Sequence, residues 1–204
     1  MTHRLTALAL AAALTLAAGA DQLFPPPGWT DRPNPLASPH AVPGGEMVIY
    51  AGPAPKSFNY YLDNNSFSAE LFGALYETLL GMNPITLEFE PALAEKWSIS
   101  DDQRTFTFWL NPKARWSDGR PVTAHDVRWT FDAILNPTNL TGPNKGPLEI
   151  FDPPEVIDDR QIVFRARQIH WRNLNAAGGF QILPRHIYAT QDFNKINFAF
   201  PVVS

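Results

Sequence analysis

The chain has 204 residues, of which 45% are hydrophobic, and it carries 16 basic and 20 acidic side chains. This length and hydrophobic content are enough for a folded core, which excludes a disordered tail or a fibre. The net charge of −4 gives no indication of nucleic-acid binding. The 20 Pro and 12 Gly predict many short elements and argue against a helical bundle.

The first twenty residues have the pattern of a secretory signal peptide. Arg4 supplies a positive start, residues 5–18 form an uncharged apolar run, and small residues at 18–20 precede Asp21. The run is shorter than the roughly 20 apolar residues that a membrane-spanning helix needs. We therefore expect cleavage near Ala20 and a periplasmic protein. Because the chain has no Cys, we expect neither a lipoprotein anchor nor disulfide bonds.

Residues 21–45 contain seven Pro and no hydrophobic period. This composition predicts an extended arm without regular structure, and a flexible linker is the alternative. The ordered domain is expected over residues 46–204, beginning with a buried strand at Met47–Tyr50.

A helix is predicted after this strand. Ser66 can cap its first turn, and the helix is expected to end near Gly81 or at Asn83-Pro84. Four apolar side chains repeat at four-residue spacing and should form one buried face: Phe67, Leu71, Leu75 and Leu79.

Two β-hairpins are predicted further along the chain. Lys96–Ile99 and Arg104–Leu110 flank a polar turn, and apolar residues alternate with others along the second strand. Residues 156–157 and 161–166 repeat this arrangement around a second turn that also contains two consecutive Asp.

The segment between the hairpins contains a tight turn followed by a helix start. Asp118-Gly119 favours a turn because Gly tolerates a positive φ. Thr123 and Asp126 have the spacing of a helix cap, and Asn136-Pro137 should end the helix. Its buried face is predicted to comprise Val127, Phe131, Ile134 and Leu135.

This segment also resembles a known family. Residues 116–127 read WSDGRPVTAHDV, which is similar to the signature of the family 5 solute-binding proteins of peptide, nickel and some sugar importers. Residues 91–97 and the Asp101-Asp102 hairpin occur in the order of that family, and the resemblance extends from about residue 46 to the end. It implies a mixed α/β (α+β) lobe of the periplasmic binding protein type II kind, with short strands, hairpins and two main helices.

Three C-terminal segments, residues 170–174, 182–187 and 192–197, resemble oligopeptide receptors related to microcin C and murein-peptide uptake. The resemblance implies a monomeric receptor that carries a peptide or peptide-like solute to an ABC permease and its ATPases. Members of the family are usually much longer, with two lobes that close on the ligand. We therefore expect residues 46–204 to be an N-terminal fragment, a truncated first lobe.

Four candidate ligand contacts follow from this resemblance, which implies that the loop after the first strand contacts the ligand. Ser57 and Asn59 offer hydrogen-bonding groups there, and Phe58 offers an apolar wall. Tyr76 is the fourth candidate. The structural alternative is that the loop residues only form a turn and that Tyr76 packs in the core.

Two other ligand classes are alternatives within the same family. Five Trp could line a sugar site, but Trp97, Trp116 and Trp129 lie in or beside family motifs and are better interpreted as core. The other two of these five Trp are Trp109 and Trp171. A nickel site would need a ligand pattern that His170, His186 and Asp192 do not match, so neither a metal nor another cofactor is expected.

No catalytic motif is present in the sequence. There is no G-x-S-x-G, phosphate-binding loop or H-E-x-x-H, and without Cys there is no thiol nucleophile. We therefore expect a binding protein and no enzyme. An envelope hydrolase with residues scattered along the chain is the alternative from another class, and a chaperone-like interaction module is a third.

Overall fold

The computed structural model describes residues 21–29, 38, 40–42, 44–46, 48, 57–62, 65–196 and 203. The strands in this part of the chain are β1 (Gln22–Phe24), β2 (Leu80–Met82), β3 (Phe89–Pro91), β4 (Ala94–Ile99), β5 (Thr105–Leu110), β6 (Glu155–Asp158) and β7 (Gln161–Arg165). The helices are α1 (Ser66–Leu75), α2 (Ala124–Leu135), α3 (Gly142–Lys145), α4 (Asn173–Gly178) and α5 (Arg185–Tyr188), with short 3₁₀ turns at Tyr60–Leu62 and Phe193–Lys195.

Five strands form one antiparallel sheet in the order β1-β4-β5-β7-β6, and β2 pairs with β3 in a separate two-stranded sheet. Both predicted hairpins, β4–β5 and β6–β7, are confirmed. In each turn an Asp carboxylate accepts backbone N–H groups, because its short side chain reaches the peptide two residues ahead: Asp102 binds Arg104, and Asp158 binds Arg160.

The core lies on one face of the larger sheet. The alternation along β5 is confirmed, since Phe106, Phe108 and Leu110 are buried and the residues between them are half-buried. Helix α2 covers this face against β6 and β7, with the ring centroid of Phe131 6.0 Å from that of Phe164. Burial of these apolar rings is the main force that holds helix and sheet together.

The turn and cap before α2 are also confirmed. Gly119 has a φ of +87°, and the Asp118 carboxylate accepts the Arg120 N–H. Thr123 is the N-cap, and the Asp126 carboxylate accepts both its backbone N–H (2.8 Å) and its hydroxyl (2.9 Å). The helix ends at Leu135 before Asn136, as predicted.

The interpretation of three Trp as core residues is confirmed as well. Trp97 and Trp116 are buried, and Trp129 packs against the core.

The prediction for the first helix is wrong at both ends. Asn65 is the N-cap, and its Oδ1 accepts the Ser68 N–H at 2.8 Å. The helix stops at Leu75, because the chain turns to an extended conformation at Tyr76. Leu79 is buried outside the helix, where its carbonyl accepts the N–H of Ala94.

The start of the arm contains regular structure that the composition did not predict. Residues Gln22–Phe24 add an edge strand to β4, and the Phe24 ring stacks on Trp97 at 5.6 Å. The predicted strand at Met47–Tyr50 and the predicted signal peptide over 1–20 lie outside the described residues. Among the described helices, none combines the length and apolar character needed to cross a membrane.

Candidate functional site

The structure brings the predicted loop and Tyr76 together. The Tyr76 hydroxyl donates to the Phe58 carbonyl at 3.2 Å and lies 3.0 Å from the Tyr188 hydroxyl. Tyr188 also reaches the Phe58 carbonyl, at 3.5 Å. The Phe58 backbone is therefore held by two phenols from the end of α1 and from α5.

Ser57 and Asn59 are buried and bond to the distant 3₁₀ turn. The Ser57 hydroxyl donates to the Ile196 carbonyl at 2.9 Å and accepts the Asn59 N–H at 3.0 Å. The Asn59 amide donates to the Phe193 carbonyl, and its oxygen accepts the Tyr61 N–H. Because these groups bond within the chain, a direct ligand contact by Ser57 or Asn59 stays a prediction. We call the set Ser57–Asn59, Tyr76, Tyr188 and Phe193–Ile196 the tyrosine anchor.

Burial keeps the phenols of the tyrosine anchor neutral. It raises the pKa of Tyr76 to about 12, against the opposing effect of the hydrogen bond with Tyr188. Burial, followed by the nearby Tyr76, raises the pKa of Tyr188 well above its ordinary value. Both hydroxyls therefore remain protonated donors at any physiological pH.

Two rings in this segment are only half-buried, that of Phe58 within the anchor and that of Tyr60 next to it. Phe58 and Tyr60 meet the buried Phe72 edge to face, with ring centroids 6.2 Å and 5.8 Å apart. The anchor thus fixes the backbone of a segment whose aromatic side chains form a partly exposed apolar wall.

A cavity of about 180 Å³ lies beside Tyr60, and we call it the small cavity. It is lined by Tyr60, Tyr61, Ile134, Pro143, Asn144, Pro147, Leu148, Asn175, Ala176, Gly179, Phe180 and Gln181. The Asn144 side-chain nitrogen is buried and has no hydrogen-bond partner among the described residues. A buried amide N–H₂ without an acceptor is costly, and Asn144 belongs to the wall of the small cavity.

Two glycines at the end of α4, of which Gly179 lines the small cavity, have no room for a Cβ atom. A Cβ on Gly179 would lie 2.5 Å from the Asn175 carbonyl oxygen, and one on Gly178 would lie 2.8 Å from the Leu80 side chain. Gly178 thus lets the end of α4 pack tightly against β2.

The residues considered for nickel take part in separate contacts. His186 Nε2 lies 2.7 Å from the Asp118 carboxylate, and Asp192 pairs with Lys195 at 2.9 Å. His170 stacks on Trp171, with ring centroids 5.8 Å apart. Over the described ranges, no group of three or more His, Cys, Asp or Glu could hold a metal ion.

Asn144, Gln181 and Tyr188 were not among the site residues predicted from the sequence. Tyr188 bonds Tyr76 across 112 residues, and Gln181 accepts the Tyr61 hydroxyl across 120 residues through its backbone carbonyl. No local periodicity marks such partners. Only the resemblance around residues 182–187 drew attention to this part of the chain.

Solved structures with a similar arrangement define the class of protein. A dipeptide binding protein from Pseudoalteromonas sp. SM9913 in complex with Met-Leu matches with a TM-score of 0.63 and 22% identity, over 72% of this chain and 34% of that one. Haemophilus influenzae OppA in complex with RPPGFSPFR matches with a TM-score of 0.62 and 21% identity, over 75% and 35%. The fold is that of part of a type II periplasmic binding protein, as expected.

The family follows from the sequence comparison. Residues 88–203, more than half of the chain, match the model of the bacterial extracellular solute-binding proteins, family 5 Middle. The chain belongs to this family, whose members are solute-binding receptors. Bacillus subtilis dipeptide-binding protein DppE is 38% identical over 101 residues, which cover 48% of this chain and 18% of that protein. The chain thus spans about a fifth of the length of this relative.

Proposed function

We propose that the chain is part of the substrate-binding receptor of an ABC importer and that its ligand is a peptide or a peptide-like solute. The observation that carries this proposal is the small cavity, whose wall contains the half-buried Tyr60 ring and Asn144, with its unpaired amide nitrogen. The relatives support it, since DppE is named a dipeptide-binding protein and two similar structures contain peptides.

A peptide has the chemistry that this site requires. One of its carbonyl groups would accept from Asn144 Nδ2, and an apolar side chain would pack on the half-buried Tyr60 ring. Ser57, Asn59 and Tyr76 would hold this wall in place through the bonds they make to the backbone. A contact from these three side chains to the ligand itself remains part of the proposal.

We also propose how the protein is exported and which partners it has. Residues 1–20 would direct export and be cleaved near Ala20 without lipid attachment, and 21–45 would form an arm before the binding domain of 46–204. The receptor would act as a monomer in the periplasm and deliver its ligand to a permease and its ATPases. The family's extracellular character supports this location.

Calorimetry and thermal unfolding of the full chain with Met-Leu and Ala-Ala-Ala would test the peptide assignment. At about a hundredfold excess over Kd, a ligand stabilises the folded state by about 2.7 kcal/mol, which raises the melting temperature. Asn144→Leu removes the amide at similar size and should weaken peptide binding about tenfold or more.

The matched control is Asn111→Leu, because the Asn111 amide oxygen accepts the Lys113 N–H in an exposed turn outside the cavity. Equal peptide affinity in the wild type and in Asn144→Leu would contradict the proposed site. Stabilisation by maltose or Ni²⁺ with no response to peptides would contradict the peptide assignment.

A further inference from the structure

A second, larger cavity adjoins the small one. It has a volume of about 780 Å³ and shares Pro147, Asn175 and Ala176 with the small cavity as lining residues. Ligand pockets in proteins generally measure roughly 300–1,000 Å³, so this space is large enough for a whole residue of a ligand and more. We call it the Trp171 cavity.

An exposed aromatic platform stands in this cavity. The Trp171 side chain is 80% exposed, although Trp is among the residues that gain most from burial. The Arg172 guanidinium lies 4.7 Å from the centre of the indole, and the His170 ring stacks near it at an interplanar angle of 27°. These contacts hold the indole at the cavity while leaving most of its surface open.

The charge of this cavity differs from that of the chain. Arg172 and His170 line it, no Asp or Glu is among the described residues that do, and the whole chain carries a net charge of −4. Arg172 makes no ion pair to any residue within the described ranges. The His170 Nδ1 accepts the Arg172 N–H at 3.2 Å, so the neutral imidazole carries its proton on Nε2. Both side chains can therefore donate to an anion.

Asn173 also belongs to the wall of this cavity. The residue is only 1% exposed, and its Nδ2 donates to the Gln168 carbonyl at 2.7 Å, which fixes the orientation of the amide. Its Oδ1 is buried without a donor from any described residue. An N–H group of a ligand would satisfy this oxygen.

We propose that the Trp171 cavity binds the C-terminal residue of the peptide ligand, and that this residue is apolar or aromatic. Its carboxylate would bind Arg172 and His170, its backbone N–H would approach Asn173 Oδ1, and its side chain would pack on Trp171 and Met82. The preceding residues would pass into the small cavity, where Asn144 Nδ2 binds a carbonyl. This inference rests on the proposed peptide-binding function and adds a requirement for a free carboxylate.

The test is calorimetry of the full chain with Ala-Ala-Phe, with its C-terminal amide and with Ala-Ala-Ala. The free acid should bind about tenfold or more tightly than the amide, because a charge-assisted pair with Arg172 is lost in the amide. Arg172→Gln should abolish this preference. Trp171→Ala should weaken Ala-Ala-Phe more than Ala-Ala-Ala, since only the former carries a ring that stacks.

Lys113→Gln serves as the control, because it removes one positive charge outside both cavities and should leave the acid-to-amide ratio unchanged. Equal affinity of the acid and the amide for the wild type would overturn the inference and leave peptide binding intact. A preference that persists in Arg172→Gln would overturn it as well. If none of the three peptides bound, the proposed function would fail and this inference with it.

Discussion

The five-stranded sheet and the tyrosine anchor are stabilised in different ways. The sheet consists largely of hairpins, and its core face is apolar: Phe108 and Phe164 meet edge to face on neighbouring strands. The anchor joins Ser57 to Ile196 and Asn59 to Phe193, pairs more than 130 residues apart, by buried hydrogen bonds. The sheet depends on local patterns and apolar area, whereas the anchor depends on polar groups that must match across the chain.

The largest effect is expected in the sheet. Phe108→Ala removes a fully buried ring from the central strand β5 and should lower the free energy of unfolding by about 3–5 kcal/mol, because a cavity remains. Urea denaturation measures this change. Thr107→Ala, on the opposite face of the same strand, should cost much less. Similar losses for the two variants would show that the apolar face does not dominate the stability of the sheet.

A smaller loss is expected in the anchor. Asn59→Ala leaves the Phe193 carbonyl and the Tyr61 N–H buried without their partner. Two such groups should cost about 2–4 kcal/mol in urea denaturation. Asn111→Ala is the matched control, because its amide oxygen bonds an exposed turn. A loss no larger than that of the control would mean that water or rearrangement replaces these bonds.

The smallest expected effect is a pH dependence of stability that comes from the phenols of the tyrosine anchor. The pKa of Tyr76 is about 12 in the folded chain, above the ordinary value of 10, so its stabilising contribution is complete below pH 10 and declines as the pH rises towards 12. Tyr188 shifts in the same direction. Urea denaturation between pH 8 and about 11 should therefore show a decline in stability that is shallower in Tyr76→Phe.

Tyr76→Phe should also cost about 1–2 kcal/mol at pH 8, since the Phe58 carbonyl loses a donor. The double variant with Tyr188→Phe should cost less than the two single changes together, because both hydroxyls share one network. An unchanged pH profile in Tyr76→Phe would refute the role of this phenol.

Local patterns predicted the elements whose partners are close in sequence. The alternation in residues 105–110, the turn at Asp118-Gly119 and the cap formed by Thr123 and Asp126 all have the predicted structure. The prediction for the first helix was wrong because the four-residue apolar spacing continues to Leu79. In the structure the carbonyls of Thr78 and Leu79 accept the N–H groups of Leu93 and Ala94, and these bonds hold the chain outside the helix.

The candidate site was predictable only in part. The resemblance pointed to Ser57–Asn59 and Tyr76, and the structure places these residues together. Nothing in the sequence indicated that their polar groups bond to Tyr188, Phe193 and Ile196, or that Asn144 lines a cavity beside them. Edge strand β1 was likewise missed, because a Pro-rich composition does not reveal pairing with a strand more than seventy residues away.

The sequence by itself determined the hairpins and the capped helix α2, because each depends on a short run of residues whose spacing has one favourable local geometry. It also determined the family, through the match over residues 88–203. Only the tertiary structure decided which buried polar groups have hydrogen-bond partners and which lack them. The Asn59 amide is satisfied, while Asn144 Nδ2 and Asn173 Oδ1 lack partners within the described chain. The Asn59 bond joins segments 134 residues apart that meet only in the folded chain, and no local pattern encodes it.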